Sequence, residues 1–176
     1  MTDALHLRPA TQQDLAFLRE VYADTRRDEL ALTEWDEAAC DAFVSMQFEA
    51  QSRHYHSRFP DASLAVVEQH GKAVGRLWVH QSPQAIHVLD ISLVSAHRGQ
   101  GVGGLCLQQL LDRALALRLP VRLQVEQTNP ARRLYERLGF VATEAQGLYL
   151  SMEWRANASS DPKTRPQMME ICDEQA

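Results

Sequence analysis

The stretch Arg98-Gly99-Gln100-Gly101-Val102-Gly103 (RGQGVG) decides the fold of this chain. It follows an apolar run, Ile86 to Val94, that predicts a strand, and it opens a periodic apolar segment, Val102 to Leu117, that predicts a helix. A strand that enters a helix through a glycine-rich turn leaves unbonded backbone N–H groups and the positive end of the helix dipole facing an anion. The glycines let the backbone come close to phosphate groups, and Arg98 adds a cationic fork. The stretch therefore predicts a binding site for a ligand that contains a diphosphate.

Composition and charge limit the classes of protein to which the chain can belong. Its 176 residues fit one domain, and its 45% hydrophobic and 23% charged residues are typical of a globular protein. The net charge is −5 without a block of Lys or Arg, which argues against a nucleic-acid partner. No apolar run approaches the roughly 18 residues of a membrane span, and Met1 to Leu7 lacks the pattern of a signal peptide. We therefore expect no membrane partner and a cytoplasmic location. The widely spaced Cys40, Cys106 and Cys172 predict neither a disulfide framework nor a metal site.

Hydrophobic periodicity divides most of the chain into short elements. Seven runs rich in β formers predict strands, and four segments of helical spacing predict helices, while the charged stretch Asp24 to Asp36 is predicted to be irregular. A meander of strands followed by alternating helices and strands is typical of the α/β (α+β) class, with one mixed sheet and helices on both faces. We place this domain at residues 1–154 and expect a disordered tail at residues 155–176, where polar residues dominate. The predicted strands are Leu5 to Pro9, Ser63 to Gln69, Ala73 to Gln81, Ile86 to Val94, Val121 to Val125, Phe140 to Thr143 and Leu148 to Trp154, and the predicted helices begin near Thr11, Ala39, Gly101 and Pro130.

The glycine loop by itself fits more than one ligand. Gly99, Gly101 and Gly104 satisfy the dinucleotide fingerprint G-x-G-x-x-G, with Glu126 as a candidate ribose-binding acid. Against that interpretation, the loop follows a meander, little chain remains after it, and Arg98 is foreign to the fingerprint. A P-loop is excluded because no Lys-Ser or Lys-Thr pair follows the glycines. A purely structural use of the glycines, for a tight turn, is the remaining alternative.

A second block of residues, downstream of the glycine loop, reduces the number of ligand classes that the loop could bind. The residues Asn129-Pro130-Ala131, Leu134-Tyr135 and Leu138-Gly139-Phe140 form the pattern N-P-A-x-x-L-Y-x-x-L-G-F. Together with RGQGVG upstream, this pattern resembles the GNAT family of N-acetyltransferases. The resemblance follows the order of elements from Leu5 to Trp154 and is specific over Asp90 to Leu111 and Val121 to Phe140.

The resemblance implies how the acyl donor binds. In that family the glycine loop binds the pyrophosphate of acetyl-CoA, and the pantetheine arm lies between two central strands that splay apart. We therefore expect a mostly antiparallel mixed sheet with splayed central strands and acetyl-CoA as donor, without a metal. The implied donor-binding residues are Ile91, Ser92 and Leu93 for the pantetheine and the acetyl carbonyl, Arg98, Gly99, Gln100, Gly101, Val102, Gly103 and Gly104 for the pyrophosphate, Asn129 for the pantetheine arm and Tyr135 for its sulfur.

The implied reaction is direct attack of a primary amine on the thioester in a ternary complex. Tyr135 matches the general acid of the family, which protonates the departing thiolate. Many relatives carry a glutamate base five residues before the asparagine, but that position here is Gln124. Two carboxylates could instead draw the proton through ordered water: Glu126, on the same strand face as Gln124, and Asp90, in the strand before the loop.

The acceptor side is implied only by analogy with the family. Two segments would line the acceptor-binding side of the site: Asp24 to Glu37, which contains Trp35, and Ala145 to Tyr149. The acidic residues of the first segment would either attract a cationic amine or form an ordinary solvated loop. The sequence names neither the acceptor nor the length of the acyl group, and it leaves monomer and homodimer open. Two other functions remain at this point: a non-catalytic acyl-CoA-binding module, which Gln124 would permit, and a nicotinamide-dependent oxidoreductase.

Overall fold

Residues 5–156 are described by the structure, which is a computed structural model. Within this range the chain forms seven strands and four α-helices, as many as the sequence predicts. The predicted disordered tail falls, beyond Ala156, outside the described residues. The strands are β1 (Leu5–Pro9), β2 (Ser63–Gln69), β3 (Lys72–Gln81), β4 (Ile86–Leu93), β5 (Val121–Glu126), β6 (Val141–Gln146) and β7 (Tyr149–Trp154), and the helices are α1 (Leu15–Ala31), α2 (Glu37–Arg58), α3 (Val102–Leu117) and α4 (Arg132–Arg137).

The strands form one sheet in the order β1-β2-β3-β4-β5-β7-β6. Within residues 5–156 only β4 and β5 run parallel, and every other neighbouring pair is antiparallel. Helix α3 buries its apolar stripe against one face, whereas α1 and α2 cover the other. The expected mixed, mostly antiparallel sheet with helices on both faces is therefore confirmed. A sheet with one parallel pair is not the doubly wound sheet of a dinucleotide-binding domain, so the oxidoreductase alternative is wrong.

The parallel pair separates partway along its length. Ile86, His87 and Val88 of β4 pair with Val121, Arg122 and Leu123 of β5, and no pairing continues beyond Val88 and Leu123. From there β4 stays bonded to β3, and β5 stays bonded to β7. The expected splay of the central strands is confirmed, and it leaves a slot between β4 and β5.

A β-bulge in β4 lies where the slot begins. Val79 pairs with Val88 but Trp78 pairs with Asp90, so Leu89 is an extra residue. Bulges reverse the alternation of side chains beyond them. Ile86 and Val88 belong to the core under α3, and after the bulge it is Ile91 and Leu93 that pack against this core. Asp90 therefore faces the side of α1 and α2 instead of the apolar core.

The prediction that Asp24 to Asp36 is irregular is wrong for Asp24 to Ala31, because α1 continues to Ala31, and is confirmed for Leu32 to Asp36. Within the helix Arg27 pairs with Asp24 at 2.6 Å, and Arg26 pairs with Glu29 at 3.1 Å. Such i,i+3 ion pairs stabilise a helix that shows no clear apolar periodicity in its second half. Only a five-residue connection, Leu32 to Asp36, remains between α1 and α2.

Candidate active site at the separated strands

The glycine loop lies at the mouth of the slot and starts α3. Gly99 and Gly101 have φ angles of +71° and +83°, a conformation that glycine adopts without the cost of a Cβ clash. Gly101 is the N-cap of α3, and the N–H groups of the next residues, Val102, Gly103 and Gly104, have no acceptor within the helix. The structure thus places the backbone donors of Val102, Gly103 and Gly104, directly after the glycine turn, at the positive end of a 16-residue helix.

Two hydrogen bonds fix the guanidinium group of Arg98. Its Nε donates to the backbone oxygen of Leu93 at 2.8 Å, and its Nη2 donates to Asp24 at 3.0 Å. Asp24 of α1, whose side chain is only 5% exposed, also accepts from the Ser95 backbone N–H at 2.6 Å and from the Ser95 hydroxyl at 3.2 Å. Sequence reasoning assigned Asp24 to the acceptor wall and missed this contact, because 71 residues separate it from Ser95. Asp24 ties α1 to the turn that carries the glycine loop.

We expect Asp24→Asn to weaken coenzyme A binding by about fivefold to tenfold, since the lost charge-assisted hydrogen bonds orient Ser95 and Arg98. Isothermal calorimetry with coenzyme A measures the Kd. The matched control is Asp28→Asn, an exposed carboxylate on the same helix, which should leave the Kd unchanged. An Asp24→Asn protein with the parental Kd would show that the loop keeps its shape without α1.

Asp90 is held by a buried cation. The Nε atom of Arg76 donates to Asp90 at 2.7 Å, and the Ser92 hydroxyl donates to the same carboxylate at 3.1 Å. Arg76 is 1% exposed, its Nη2 donates to Gln51 of α2 at 2.7 Å, and its guanidinium lies 5.7 Å from the ring centre of Tyr22. The carboxylate is therefore charge-balanced and fixed in orientation at the point where β4 and β5 separate.

The negative charge of Asp90 contributes to raised pKa values at two tyrosines. Burial and then the negative charge of Asp90 raise the pKa of Tyr135 to about 12. Burial, and after it Asp90, likewise raise the pKa of Tyr55, whose hydroxyl donates to the backbone oxygen of the bulge residue Leu89 at 3.0 Å. Tyr135 belongs to the core on the α3 side, where the centres of its ring and of the Phe140 ring are 5.8 Å apart. Tyr55, in contrast, lies on α2. Asp90 therefore lies close enough to act by its charge on both tyrosines, which come from opposite faces of the sheet.

The other predicted residues lie around this centre. Arg122, Gln124 and Glu126 alternate with buried residues along β5, which confirms that Gln124 and Glu126 share one face. Glu126 is exposed at the strand end and forms no ion pair with the described residues. The side-chain oxygen of Asn129 accepts from the Ala131 backbone N–H at 2.9 Å, in the turn before α4. Its amide nitrogen thus remains available for a ligand.

Sequence reasoning missed Tyr55, Arg76 and Gln51. Gln51 and Tyr55 are one helical turn apart on α2, which is the one local signal that could have joined them. Arg76 gives no such signal, because an arginine within a strand is more often exposed than buried.

Comparisons with known proteins agree with this geometry. Residues 19–140 match the family model described as Acetyltransferase (GNAT) family. PaiA N-acetyltransferase from Thermoplasma acidophilum in complex with coenzyme A is similar, with a TM-score of 0.66 at 15% identity over 87% of this chain and 99% of that chain. An acetyltransferase from Thermus thermophilus has a TM-score of 0.64 at 17% identity, over 87% of this chain and 97% of that one. A chimera of the spermidine N-acetyltransferase SpeG from Vibrio cholerae and hSSAT has a TM-score of 0.61 at 22% identity, over 86% and 95%. A comparison with curated protein sequences found no match.

Proposed function

Because this chain belongs to the acetyltransferase (GNAT) family and transfers an acetyl group from acetyl-CoA to an amine, we propose which of its residues perform each step. The slot between β4 and β5, next to which Asp90 lies near enough to Tyr135 to influence it by charge, is the observation that carries the assignment. We also propose that residues 1–154 form a single catalytic domain that works in the cytoplasm, without a nucleic-acid or membrane partner.

The donor is held mainly by backbone groups. In this proposal the pyrophosphate lies at the N-terminus of α3, against residues 99–104, where unbonded N–H groups and the helix dipole favour an anion. Arg98 acts mostly by shaping the loop, because its guanidinium is already bonded to Asp24 and Leu93. The pantetheine arm enters the slot beside Asn129, and the thioester carbonyl lies against Ile91 to Leu93 of β4.

Asp90 is the proposed base. An amine with a pKa of about 10.4 is a cation at neutral pH and must lose a proton before it attacks the thioester. Asp90 would accept this proton through a water molecule, which frees the nitrogen lone pair to form a bond to the carbonyl carbon, and the nitrogen loses its second proton as the tetrahedral intermediate expels the thiolate. The position of Asp90 on β4, just beyond the last residue that pairs with β5, supports this role over the exposed Glu126, which lies at the end of β5.

Tyr135 is the proposed hydrogen-bond donor to the departing sulfur. Complete proton transfer from a phenol with a pKa of about 12 to an alkyl thiolate, whose thiol has a pKa near 8.5, would be uphill by roughly 5 kcal/mol. A phenol that stays protonated can nevertheless stabilise the developing thiolate by a hydrogen bond. The proton released by the amine then reaches the coenzyme A thiolate through solvent.

The test is amine-dependent release of the coenzyme A thiol from acetyl-CoA. We expect Tyr135→Phe to lower kcat by about 10- to 100-fold, since it loses one hydrogen bond to the leaving group but keeps the ring packing on Phe140. The Kd for acetyl-CoA should stay within twofold. Unchanged turnover would remove Tyr135 from the reaction, and binding of acetyl-CoA without turnover of any amine would favour a non-catalytic binding module.

A further inference from the structure

A cavity opens on the α2 side of the sheet, at the point where β4 and β5 separate. Its volume is about 510 Å³. We call it the acceptor cavity, and define it by six of its lining residues: Tyr55, Arg58, His87, Leu89, Arg122 and Gln124. Its inner end, at Leu89 and Gln124, adjoins the part of β4 that no longer pairs with β5 and that carries Asp90.

The outer end of the acceptor cavity carries excess positive charge. Arg58, in the last turn of α2, is exposed and forms no ion pair with the described residues. Arg122 donates to Glu153 at 2.7 Å, and Glu153 also accepts from Arg155. Burial alone would raise the pKa of Glu153, but the hydrogen bonds from these two arginines lower it below its ordinary value. The negative charge of Glu153, which lines the cavity, is thus already neutralised by Arg122 and Arg155, whereas the positive charge of Arg58 has no such partner among the described residues.

The pKa of His87, which also lines the cavity, is affected by the same positive charge. His87 pairs in register with Arg122, and its pKa is lowered first by burial and then by its neighbours Arg122 and His80. A neutral imidazole at this place can donate or accept a hydrogen bond without adding charge. The cavity therefore runs from Leu89 and Gln124, next to the proposed base Asp90, to a rim that favours an anion.

The two ends are separated by a few strand residues. Asp90 is three residues from His87 along β4, and one of the three is the bulge residue Leu89. At about 3.3 Å per residue the separation is roughly 7 to 10 Å. A single flexible molecule of moderate length can therefore contact both ends.

We propose that the acceptor is a primary amine that carries a carboxylate on the same chain, with the amine directed to Asp90 and the carboxylate held between Arg58 and Arg122. This inference rests on the proposed function. It distinguishes the chain from an enzyme for polycationic acceptors, because a second ammonium group at the outer end would face Arg58 and Arg122. A planar guanidinium suits a carboxylate, since it can donate two parallel hydrogen bonds.

Three acceptors of one chain length test the charge preference. They are 6-aminohexanoate, hexylamine and 1,6-diaminohexane, which differ only in whether the far end is anionic, neutral or cationic. At saturating acetyl-CoA we expect kcat/KM for 6-aminohexanoate to exceed that for hexylamine by about threefold to tenfold, with 1,6-diaminohexane last. Equal values, or a preference for the diamine, would overturn the carboxylate proposal and leave acetyl transfer intact.

A matched pair of variants assigns the effect to the cavity. Arg58→Gln should reduce the ratio of kcat/KM for 6-aminohexanoate over hexylamine by about threefold or more. Arg53→Gln, an exposed arginine on the same helix that does not line the cavity, should leave this ratio unchanged. A ratio that both variants leave at the parental value would also contradict the proposal.

Failure of catalysis gives a separate result. If none of the three amines is acetylated, the proposed transfer to such amines fails, but calorimetry with coenzyme A present still decides the charge preference. Binding of 6-aminohexanoate that Arg58→Gln weakens supports the carboxylate site. Equal binding of the three amines, or none, overturns it.

Discussion

Asp90→Asn is expected to lower kcat by about 10²- to 10³-fold, the largest effect on activity that the structure predicts. The amide cannot accept the proton that the amine must lose. The change also removes the counter-charge of Arg76, which is 1% exposed and donates to Asp90 at 2.7 Å. An uncompensated buried cation costs about 3 kcal/mol, so the free energy of unfolding should fall by roughly this amount. Urea denaturation measures the second effect, and single-turnover thiol release at low temperature measures the first on folded protein.

Glu126→Gln is the matched control for Asp90→Asn. Glu126 is exposed and unpaired among the described residues, so its amide variant should keep the parental stability and should lower kcat by less than about threefold. The opposite ranking of kcat, with Glu126→Gln the slower enzyme, would transfer the role of base to Glu126. In that case Asp90 would act only as the partner of Arg76.

Gly75→Ala is expected to destabilise the protein by about 2 to 3 kcal/mol and to damage donor binding together with stability. A Cβ atom at this position would lie 2.4 Å from the backbone oxygen of Ser92, 2.5 Å from Leu93 Cδ2 and 3.1 Å from Leu93 Cα. The first and third of these are backbone atoms, so β3 and β4 must move apart. The displaced residues, Ser92 and Leu93, are those proposed to face the thioester.

Gly71→Ala controls for a general effect of replacing glycine. Gly71 lies in the β2–β3 turn at φ +73° with no atom within 4 Å of its would-be Cβ. The variant should lose about 1 kcal/mol from backbone strain but keep the parental Kd for acetyl-CoA. Thermal unfolding and calorimetry compare the two variants. A Gly75→Ala protein as stable as Gly71→Ala would mean that β3 and β4 are less close than in the structure.

The local elements were accessible from the sequence wherever the signal is short-range. The predicted helix Val102 to Leu117 agrees with α3 at both ends, because Gly101 begins it and the apolar spacing continues to Leu117. All seven strands were predicted within a few residues of their bounds. The second half of α1 was missed, since ion pairs such as Arg27–Asp24 stabilise it in place of an apolar stripe.

The contacts between distant segments were not accessible in this way. Asp90 and Asp24 both appear in the sequence as acidic residues with several open roles. Their partners, Arg76 and Ser95, lie 14 and 71 residues away, and no pattern within either segment selects them. The resemblance to a family indicated what the site binds, but not which cations hold its carboxylates.

The sequence by itself determined the strand, the glycine turn and the helix that follows it, because φ angles of +71° and +83° and a helical period depend on residues only a few positions apart. Only the tertiary structure decided which way Asp90 faces. One extra residue at Leu89 reverses the alternation of β4, and this turns Asp90 from the core under α3 to the buried Arg76. Whether that bulge forms depends on the register between β3 and β4, which is set by the packing of both faces of the sheet.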